Sequence, residues 1–101
     1  MAEKKVVFLM KLIYCELCGD VRGLRQTVTR CHCGSSWGMY ESNGLNAVYG
    51  GDAVPLGIDN EDFHLTIDDR SDSGLVKLFH AFAIPKKCDT FKRTEAPPPS
   101  E

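Results

Sequence analysis

The sequence predicts a small, mostly β domain of the small α+β class, held together by a metal ion. Four of the five cysteines lie in two short motifs that each end in glycine, Cys15-x-x-Cys18-Gly19 and Cys31-x-Cys33-Gly34. The surrounding residues are rich in β-branched and aromatic side chains, and 101 residues are close to the smallest chain that buries a sufficient core unaided. Domains of this size often use disulfides or a structural metal. We therefore expect one zinc-ribbon-like domain over residues 1–93 and a disordered, Pro-rich tail over residues 94–101.

Composition and charge narrow the class of protein. The apolar fraction of 43% and the charged fraction of 26% are those of a soluble globular chain. The apolar run Val6–Met10 is short and is interrupted by Lys11, so we predict neither a signal peptide nor a membrane span. We expect a cytoplasmic protein, in the host cytoplasm if a phage encodes it. Thiols stay reduced there, so metal binding is favoured over disulfides. The net charge of −2, with the acidic residues concentrated after residue 34, is not the basic footprint of a dedicated nucleic-acid binder.

The first half of the chain predicts three strand regions. A strand is expected over residues 6–14, with Phe8, Met10, Leu12 and Tyr14 on one face. Between the two cysteine motifs, residues 21–30 predict a short hairpin with residues 27–29 as its second strand. After the second motif, Asn43-Gly44 is a two-residue turn signal, which pairs residues 37–42 with residues 45–49.

The second half is less regular. Gly50, Gly51, Pro55 and Gly57 indicate a loop that ends at Asp59-Asn60. Asn60 is a candidate cap for a short helix over residues 61–69, although a strand fits almost as well. Residues 75–84 predict a strand that ends at Pro85, and its inward face is either the set containing Phe79 or the opposite set, Leu78, His80, Phe82 and Ile84.

The two cysteine motifs predict a four-cysteine metal site. A Cys-x-x-Cys turn places two sulfurs on one side of a tight loop, and two such turns complete a tetrahedron around Zn²⁺. We assign Cys15, Cys18, Cys31 and Cys33 as the ligands, with zinc as the cofactor. The tighter spacing of Cys31 and Cys33 leaves open that His32 or Cys88 replaces one of them. Iron is the alternative metal, because tetrahedral sulfur suits either ion. A site filled by protein donors has no open position for catalysis, so the metal is interpreted as structural.

A second group of residues has two interpretations. Trp37, Tyr40 and Tyr49, with Arg22 or Arg25 and with Asp52, could line a pocket for a nucleotide-like ligand. The alternative is that the aromatic side chains cover the small core, where such residues dominate the packing energy. Cys88 is interpreted as an unpaired cysteine at a strand end rather than a reactive thiol beside Lys86 and Lys87.

Several further motifs accompany the cysteines: Gly38-x-Tyr40, Gly51-Asp52-Ala53-x-Pro55-Leu56-Gly57-x-Asp59-Asn60, and Phe79-x-Ala81-Phe82-x-Ile84-Pro85-Lys86-x-Cys88. With these, the chain resembles small, largely uncharacterised zinc-ribbon-like proteins encoded by bacteria and bacteriophages. The resemblance covers most of residues 10–90. It implies a zinc-bearing fold and no particular activity, and a phage origin would suit a small protein that binds a host protein or signalling molecule.

These observations favour a non-enzymatic, zinc-stabilised binding module that recognises a protein partner. The hairpin after the second cysteine motif and the Gly/Pro loop are its candidate surfaces. The first alternative is a small-molecule binder of the nucleotide type, such as a phage protein that sequesters a host defence signal. A nucleic-acid-binding zinc ribbon is the third. The sequence shows no phosphate-binding glycine loop, no nucleophile elbow and no histidine–carboxylate pair at catalytic spacing, so enzymatic activity is not predicted.

Overall fold

A computed structural model describes residues 9–99 of the chain. The prediction of a mostly β fold with one short helix is confirmed. In chain order the elements are β1 Leu9–Cys15, β2 Val21–Gly23, β3 Thr29–Arg30, β4 Ser36–Tyr40, β5 Ala47–Gly51, β6 Ala53–Asp59, α1 Asn60–Asp68, β7 Ala81–Ala83 and β8 Phe91–Arg93. The strands form two four-stranded sheets. The first sheet has the order β2-β1-β6-β7, and the second has the order β3-β4-β5-β8.

Strand β1 confirms the first predicted strand over residues 9–14 and continues to Cys15; positions 6–8 of that prediction lie outside the described residues. The side chains that face the interior are Lys11, Ile13 and Cys15, whereas Tyr14 is exposed. The predicted face that contains Leu12 and Tyr14 is therefore the outer one. Because side chains alternate along a strand, the inward position of Cys15 also turns Ile13 and Lys11 inward.

The buried amine of Lys11 is accommodated by polar contacts. Its Nζ donates to the carbonyl of Leu45 at 2.7 Å and lies 5.6 Å from the centre of the Tyr40 ring. Burial lowers the pKa of Lys11, and the nearby Cys88 opposes that shift.

The predicted hairpin between the cysteine motifs is wrong. Strand β2 folds back on β1, with Tyr14 opposite Val21, while β3 pairs with β4 in the other sheet. The chain crosses between the sheets at residues 24 and 25. There the amide of Leu24 donates to the carbonyl of Lys11, and the carbonyl of Arg25 accepts from the amide of Tyr40. Strands β2 and β3 therefore each pair with a longer strand, β1 and β4, instead of with each other. This long-range pairing outweighs the local turn signal.

The hairpin after the second motif is confirmed, since β4 pairs antiparallel with β5. Its connection is longer than the predicted two-residue turn and spans residues 41–46, closed by the amide of Glu41 donating to the carbonyl of Asn46 at 2.7 Å. The Asn43 side chain accepts from the amides of Leu45 and Asn46 at 2.9 and 3.0 Å. Gly44 has a positive φ of 71°. The Asn-Gly pair therefore shapes the turn through a side-chain hydrogen bond.

The predicted loop over residues 50–59 is wrong as well. Residues 53–59 form β6, a central strand that pairs with β1 along its whole length. Pro55 is tolerated there, and its carbonyl accepts from the amide of Ile84 at 2.9 Å. At Gly57 a Cβ would lie 3.2 Å from Ile84 Cδ1, so the missing side chain leaves room for that residue. Long-range pairing overrides the local strand-breaking signals.

The helix prediction is confirmed with its boundary moved by one residue. Asp59, rather than Asn60, is the N-cap, and its Oδ1 accepts from the amide of Asp62 at 3.1 Å. The predicted strand over residues 75–84 is wrong except at 81–83. Leu75, Val76 and Leu78 are instead 85%, 82% and 84% exposed. Strand β8, parallel to β5, was not predicted from the sequence.

The core lies between the sheets. Its buried side chains are Ile13, Ala47, Tyr49, Ala53 and Phe91. Tyr49 and Phe91 pack edge to face with ring centres 5.3 Å apart. Phe91 from β8 is fully buried, so the last described strand closes the core. The predicted tail carries no helix or strand over residues 94–99, and its disorder stays a prediction.

Candidate metal centre

The two cysteine motifs meet where the sheets come together. Cys15 ends β1 and Cys18 follows in the next turn, whereas Cys31 and Cys33 lie in the turn between β3 and β4. All four Sγ atoms lie within 4.8 Å of one another. The Sγ of Cys33 is 3.8 Å from that of Cys15 and 3.6 Å from that of Cys31. The structure thus brings the four predicted ligands into one cluster.

These distances suit a metal ion better than a disulfide. A tetrahedron with metal–sulfur bonds of about 2.3 Å has edges of about 3.8 Å between its sulfurs. A disulfide would require about 2.05 Å, and all the described cysteines are free thiols. The four sulfurs could therefore hold a metal ion.

The first motif, Cys15 to Gly19, turns its amides towards a sulfur. The amides of Leu17 and Cys18 donate to Cys15 Sγ at 3.3 and 3.4 Å. The turn is closed by the amide of Gly19 donating to the carbonyl of Cys15 at 2.8 Å, with Gly19 at a φ of +77°. A residue with a Cβ adopts this φ only with strain, which explains the glycine.

The second motif, Cys31 to Gly34, is one residue shorter and is completed differently. The amide of Gly34 donates to the carbonyl of Cys31 at 3.1 Å, and the amide of Ser36 donates to Cys31 Sγ at 3.3 Å. The Ser35 hydroxyl lies 3.1 Å from Cys33 Sγ and 3.3 Å from Cys15 Sγ. When the sulfurs are thiolates, the single proton of this hydroxyl is donated to one of them or shared between the two, and the hydroxyl thereby links the two motifs.

The cluster favours thiolates at its buried positions. Burial raises the pKa of Cys15, but hydrogen bonds from the Ser35 hydroxyl and from the amides of Cys18 and Leu17 outweigh burial and lower the pKa to about 5. For Cys31, burial likewise raises the pKa and hydrogen bonds from the Ser36 amide and from Cys33 lower it, with a net decrease. The pKa of Cys18 is raised: a backbone hydrogen bond from Cys33 lowers it, but burial and the neighbouring sulfurs prevail. Thiolate is the form that binds a metal.

Two aspartates tie the motifs together without touching the sulfurs. Asp20 Oδ2 accepts from Arg22 Nε at 2.7 Å and from the backbone amide of His32 at 2.8 Å. These hydrogen bonds, that from Arg22 first, lower the pKa of Asp20. Asp52 acts through its backbone: its carbonyl accepts from the amide of Glu16 at 3.1 Å, and its amide donates to the carbonyl of Ser35 at 3.2 Å.

Gly51 allows the turn that carries Asp52 to fit between the motifs. It has a φ of +73°, and a Cβ at this position would lie only 1.9 Å from the carbonyl oxygen of Ser35. Only glycine satisfies both conditions. The turn between β5 and β6 is therefore part of the frame of the metal centre.

The two alternative ligands lie outside the cluster. Among the described residues, the group that could hold a metal contains only cysteines of the two motifs. His32 is exposed and contributes its backbone amide to Asp20. Cys88 packs against the core cluster with its sulfur 3.5 Å from Thr90 Oγ1, and hydrogen bonding to Thr90 is the main cause of its lowered pKa.

The candidate ligand-binding residues lie on strands of both sheets and in the segments that connect them. Trp37 and Tyr49 are 5% and 4% exposed, so little of either ring is open for stacking on a base. The Tyr40 hydroxyl accepts from the amide of Lys11 at 2.9 Å. Arg22 lies on the other sheet and pairs with Asp20. Arg25 and Asp52 are exposed, and their contacts described above are made by backbone atoms. These placements fit the alternative interpretation that the buried aromatic residues serve the core.

Sequence reasoning missed Ser35 and the backbone contacts of Asp52. A hydroxyl residue directly after Cys33-Gly34 was a usable signal, because a shortened motif needs another donor for its sulfurs. The contribution of Asp52 comes from backbone atoms brought together by the sheets, and no local pattern indicates it.

A scan against protein-family models and searches of curated proteins and of solved structures found no match for this chain. Within residues 9–99, the helix is not long and apolar enough to cross a membrane.

Proposed function

We propose that the chain is a non-enzymatic, zinc-stabilised binding module that recognises a protein partner. The observation that carries the proposal is the cluster of four cysteine sulfurs between the two sheets. Four protein donors fill a tetrahedral site and leave no position for a substrate or an activated water. A metal there joins the sheets and acts on the fold rather than on a reaction.

Zinc is the metal proposed for this site. Four thiolate donors at tetrahedral spacing suit zinc or iron, and zinc is the common occupant of closed four-cysteine structural sites. Hydrogen bonds from Ser35, Leu17, Cys18 and Ser36 to the sulfurs offset the concentrated negative charge.

The surface proposed for the partner is the outer face of the first sheet, which replaces the loop and hairpin expected from the sequence. A concavity of about 420 Å³ lies there. We call it the apolar groove; it is lined by the two alanines of β7 and by Leu12, Val21, Leu56, Ile58, Phe79 and Phe82. Val21, Phe79 and Phe82 are 50%, 40% and 42% exposed. A contiguous apolar surface on a small protein is typical of a protein–protein contact.

Native mass spectrometry of the purified chain tests the metal. One zinc per chain is expected, and one iron per chain, with the absorbance of a ferric thiolate centre, would contradict the zinc assignment. Ser35→Ala should weaken zinc affinity about 10- to 100-fold in a chelator competition, because a group that orients and hydrogen-bonds the ligands is lost. Ser42→Ala, on the exposed β4–β5 connection, is the matched control and should change nothing.

Binding of a protein partner is tested with the zinc-loaded chain as bait in lysates of several bacteria. A captured protein should bind the purified chain directly, in a calorimetric titration. Val21→Asp should abolish that binding, while Leu45→Asp, at a similarly exposed position in the β4–β5 connection, should preserve it. Equal binding of the captured protein by both variants contradicts the proposed surface.

A second candidate function, binding of a phosphate-bearing ligand such as a nucleotide, is favoured by a different feature. A concavity of about 350 Å³ is lined by Lys86, Lys87, Lys92 and Arg93, with Asp89 as its acidic residue. Arg93 also pairs with Glu95 at 2.7 Å. A ligand well above its dissociation constant should stabilise the fold by ~2–4 kcal/mol in a thermal-shift screen. No shift with any nucleotide would exclude this candidate.

A further inference from the structure

Residues 67–83 form a run in which every residue is exposed. Six large apolar side chains belong to it: Ile67, Leu75, Val76, Leu78, Phe79 and Phe82. Helix α1, which precedes and overlaps this run, has no buried residue. A segment this apolar is normally covered by protein, because burial of each such side chain is favourable.

The most apolar part of this run, residues 75–79, is called the arm. Its backbone is held against α1, since Thr66 Oγ1 donates to the carbonyl of Leu78 at 3.1 Å. At its far end, the amide of His80 donates to Asp62 Oδ2 at 2.6 Å. These contacts fix the backbone while leaving the side chains of Leu75, Val76 and Leu78 in solvent. The arm is therefore a presented apolar surface.

The arm adjoins the apolar groove on the same chain, because Phe79 belongs to both. The arm is thus held by α1 beside the groove, while the rest of the groove stays open. A cavity of about 150 Å³ accommodates a benzene-sized group, so the 420 Å³ of the groove has room for at least two large apolar side chains. Each chain offers a projecting apolar element and, next to it, an open apolar recess.

We propose that a second copy of this chain covers the groove, with the arm of each copy seated in the groove of the other. The inference rests on the proposed function, because it names the protein partner of the same surface. An arrangement in which each copy supplies both elements is self-complementary and closes with two-fold symmetry.

The areas agree with such a dimer. The exposed parts of six large apolar residues of the arm and groove amount to roughly 700 Å² per copy, close to the ~800 Å² that each partner buries in a standard interface; the six are Val21, Leu75, Val76, Leu78, Phe79 and Phe82. Pairing of two copies through these side chains would therefore bury an area typical of a stable interface.

The charges agree as well. The groove lining contains no charged residue. The arm contains one, Lys77, whose Nζ pairs with Asp69 at 3.1 Å. Two identical surfaces therefore meet without like-charge repulsion, and depletion of charge is typical of the centre of an interface. The dimer also accounts for Leu78, whose backbone is held in place while its side chain contacts solvent.

Sedimentation velocity and native mass spectrometry of the zinc-loaded chain test the dimer. The wild type should be a dimer at micromolar concentration, and Leu78→Asp should be a monomer with its zinc content and circular dichroism unchanged. Leu78 is 84% exposed in a single chain, so the substitution does not disturb folding. Leu45→Asp is the matched control and should remain a dimer. A photo-crosslinking residue at position 78 should join two chains and map to Leu12 or Leu56.

The outcomes separate the dimer from the proposed function. A wild-type chain that is monomeric at 100 µM overturns the dimer. If that monomer carries one zinc and binds another protein through Val21, the proposed function stands with a different partner. A dimer that persists in Leu78→Asp, or a crosslink outside the groove, overturns this interface. Loss of zinc or of folding in the wild type would instead count against the proposed function.

Discussion

The metal centre and the arm differ in which groups face the interior. Both belong to a chain of 101 residues, which is short enough to bury only a small core. At the metal centre, polar groups turn inward and are satisfied: sulfurs accept from amides, and Asp20 and Asp52 bond across the two motifs. At the arm, apolar groups turn outward, and the backbone carries the polar contacts. We therefore propose different partners for the two regions, a metal ion for the cysteine cluster and a second copy of the chain for the arm.

The largest expected effect comes from removing a ligand. Cys15→Ser or Cys31→Ser should leave the chain unfolded or aggregated, because a structural zinc contributes about 10–16 kcal/mol to folding and a small domain has only about 5–15 kcal/mol in total. Circular dichroism and zinc analysis measure this. Cys88→Ser is the control and should retain both fold and zinc. If Cys33→Ser folds with zinc retained, another residue such as His32 completes the site.

The second-largest expected effect is release of the metal by acid. The folded chain lowers the pKa of Cys15 from 9.0 to about 5, so the thiolate contributes stability that is fully present above pH 9 and is lost as the pH falls through about 5. Zinc holds the thiolates against protons, so release is expected near or below pH 5 and not at pH 7. Native mass spectrometry across this range measures it. Zinc retained at pH 3 would contradict a thiolate site.

Gly51→Ala should have a smaller but substantial effect. The new Cβ would combine a left-handed backbone with a clash at the Ser35 carbonyl, for a loss of about 3 kcal/mol or more in the free energy of unfolding. Gly44→Ala is the control, because its φ of +71° is almost the same while its nearest neighbour lies 3.4 Å away. That variant should lose about 1 kcal/mol. Equal losses in urea denaturation would show that backbone strain alone matters.

The smallest effect is expected at the arm. Leu75→Ser, at a side chain 85% exposed, should change the unfolding free energy by less than about 0.5 kcal/mol at dilutions where the chain is monomeric. Urea denaturation at low and high protein concentration measures the difference. A large loss in the dilute protein would mean that the arm packs on its own chain, and the contrast with the metal centre would fail.

The cysteine cluster was predictable because its information is local. The spacing of Cys15, Cys18, Cys31 and Cys33 with two glycines indicates tetrahedral sulfur wherever the connecting segment runs. The helix start and the β4–β5 hairpin were predictable for the same reason, since Asp59-Asn60 and Asn43-Gly44 act through hydrogen bonds to neighbouring residues. In each of these cases a few adjacent side chains decide the backbone.

Other elements could not be predicted because distant partners decide them. The sequence of strand β6 contains Pro55 and Gly57 and predicts a loop, yet the strand pairs with β1 along its length. The sequence of residues 75–80 predicts part of a buried strand. Instead, α1 hydrogen-bonds to their backbone and their side chains remain exposed. The hairpin expected between the cysteine motifs is divided between two sheets.

By itself, then, the sequence determined a mostly β chain with a four-sulfur cluster, because propensity and ligand spacing are properties of neighbouring residues. Only the tertiary structure decided which strands pair, that Ser35 and the Gly51-Asp52 turn frame the cluster, and which apolar residues stay in solvent. Those outcomes depend on competition between strands far apart in the chain, and that competition is settled only when the two sheets pack together.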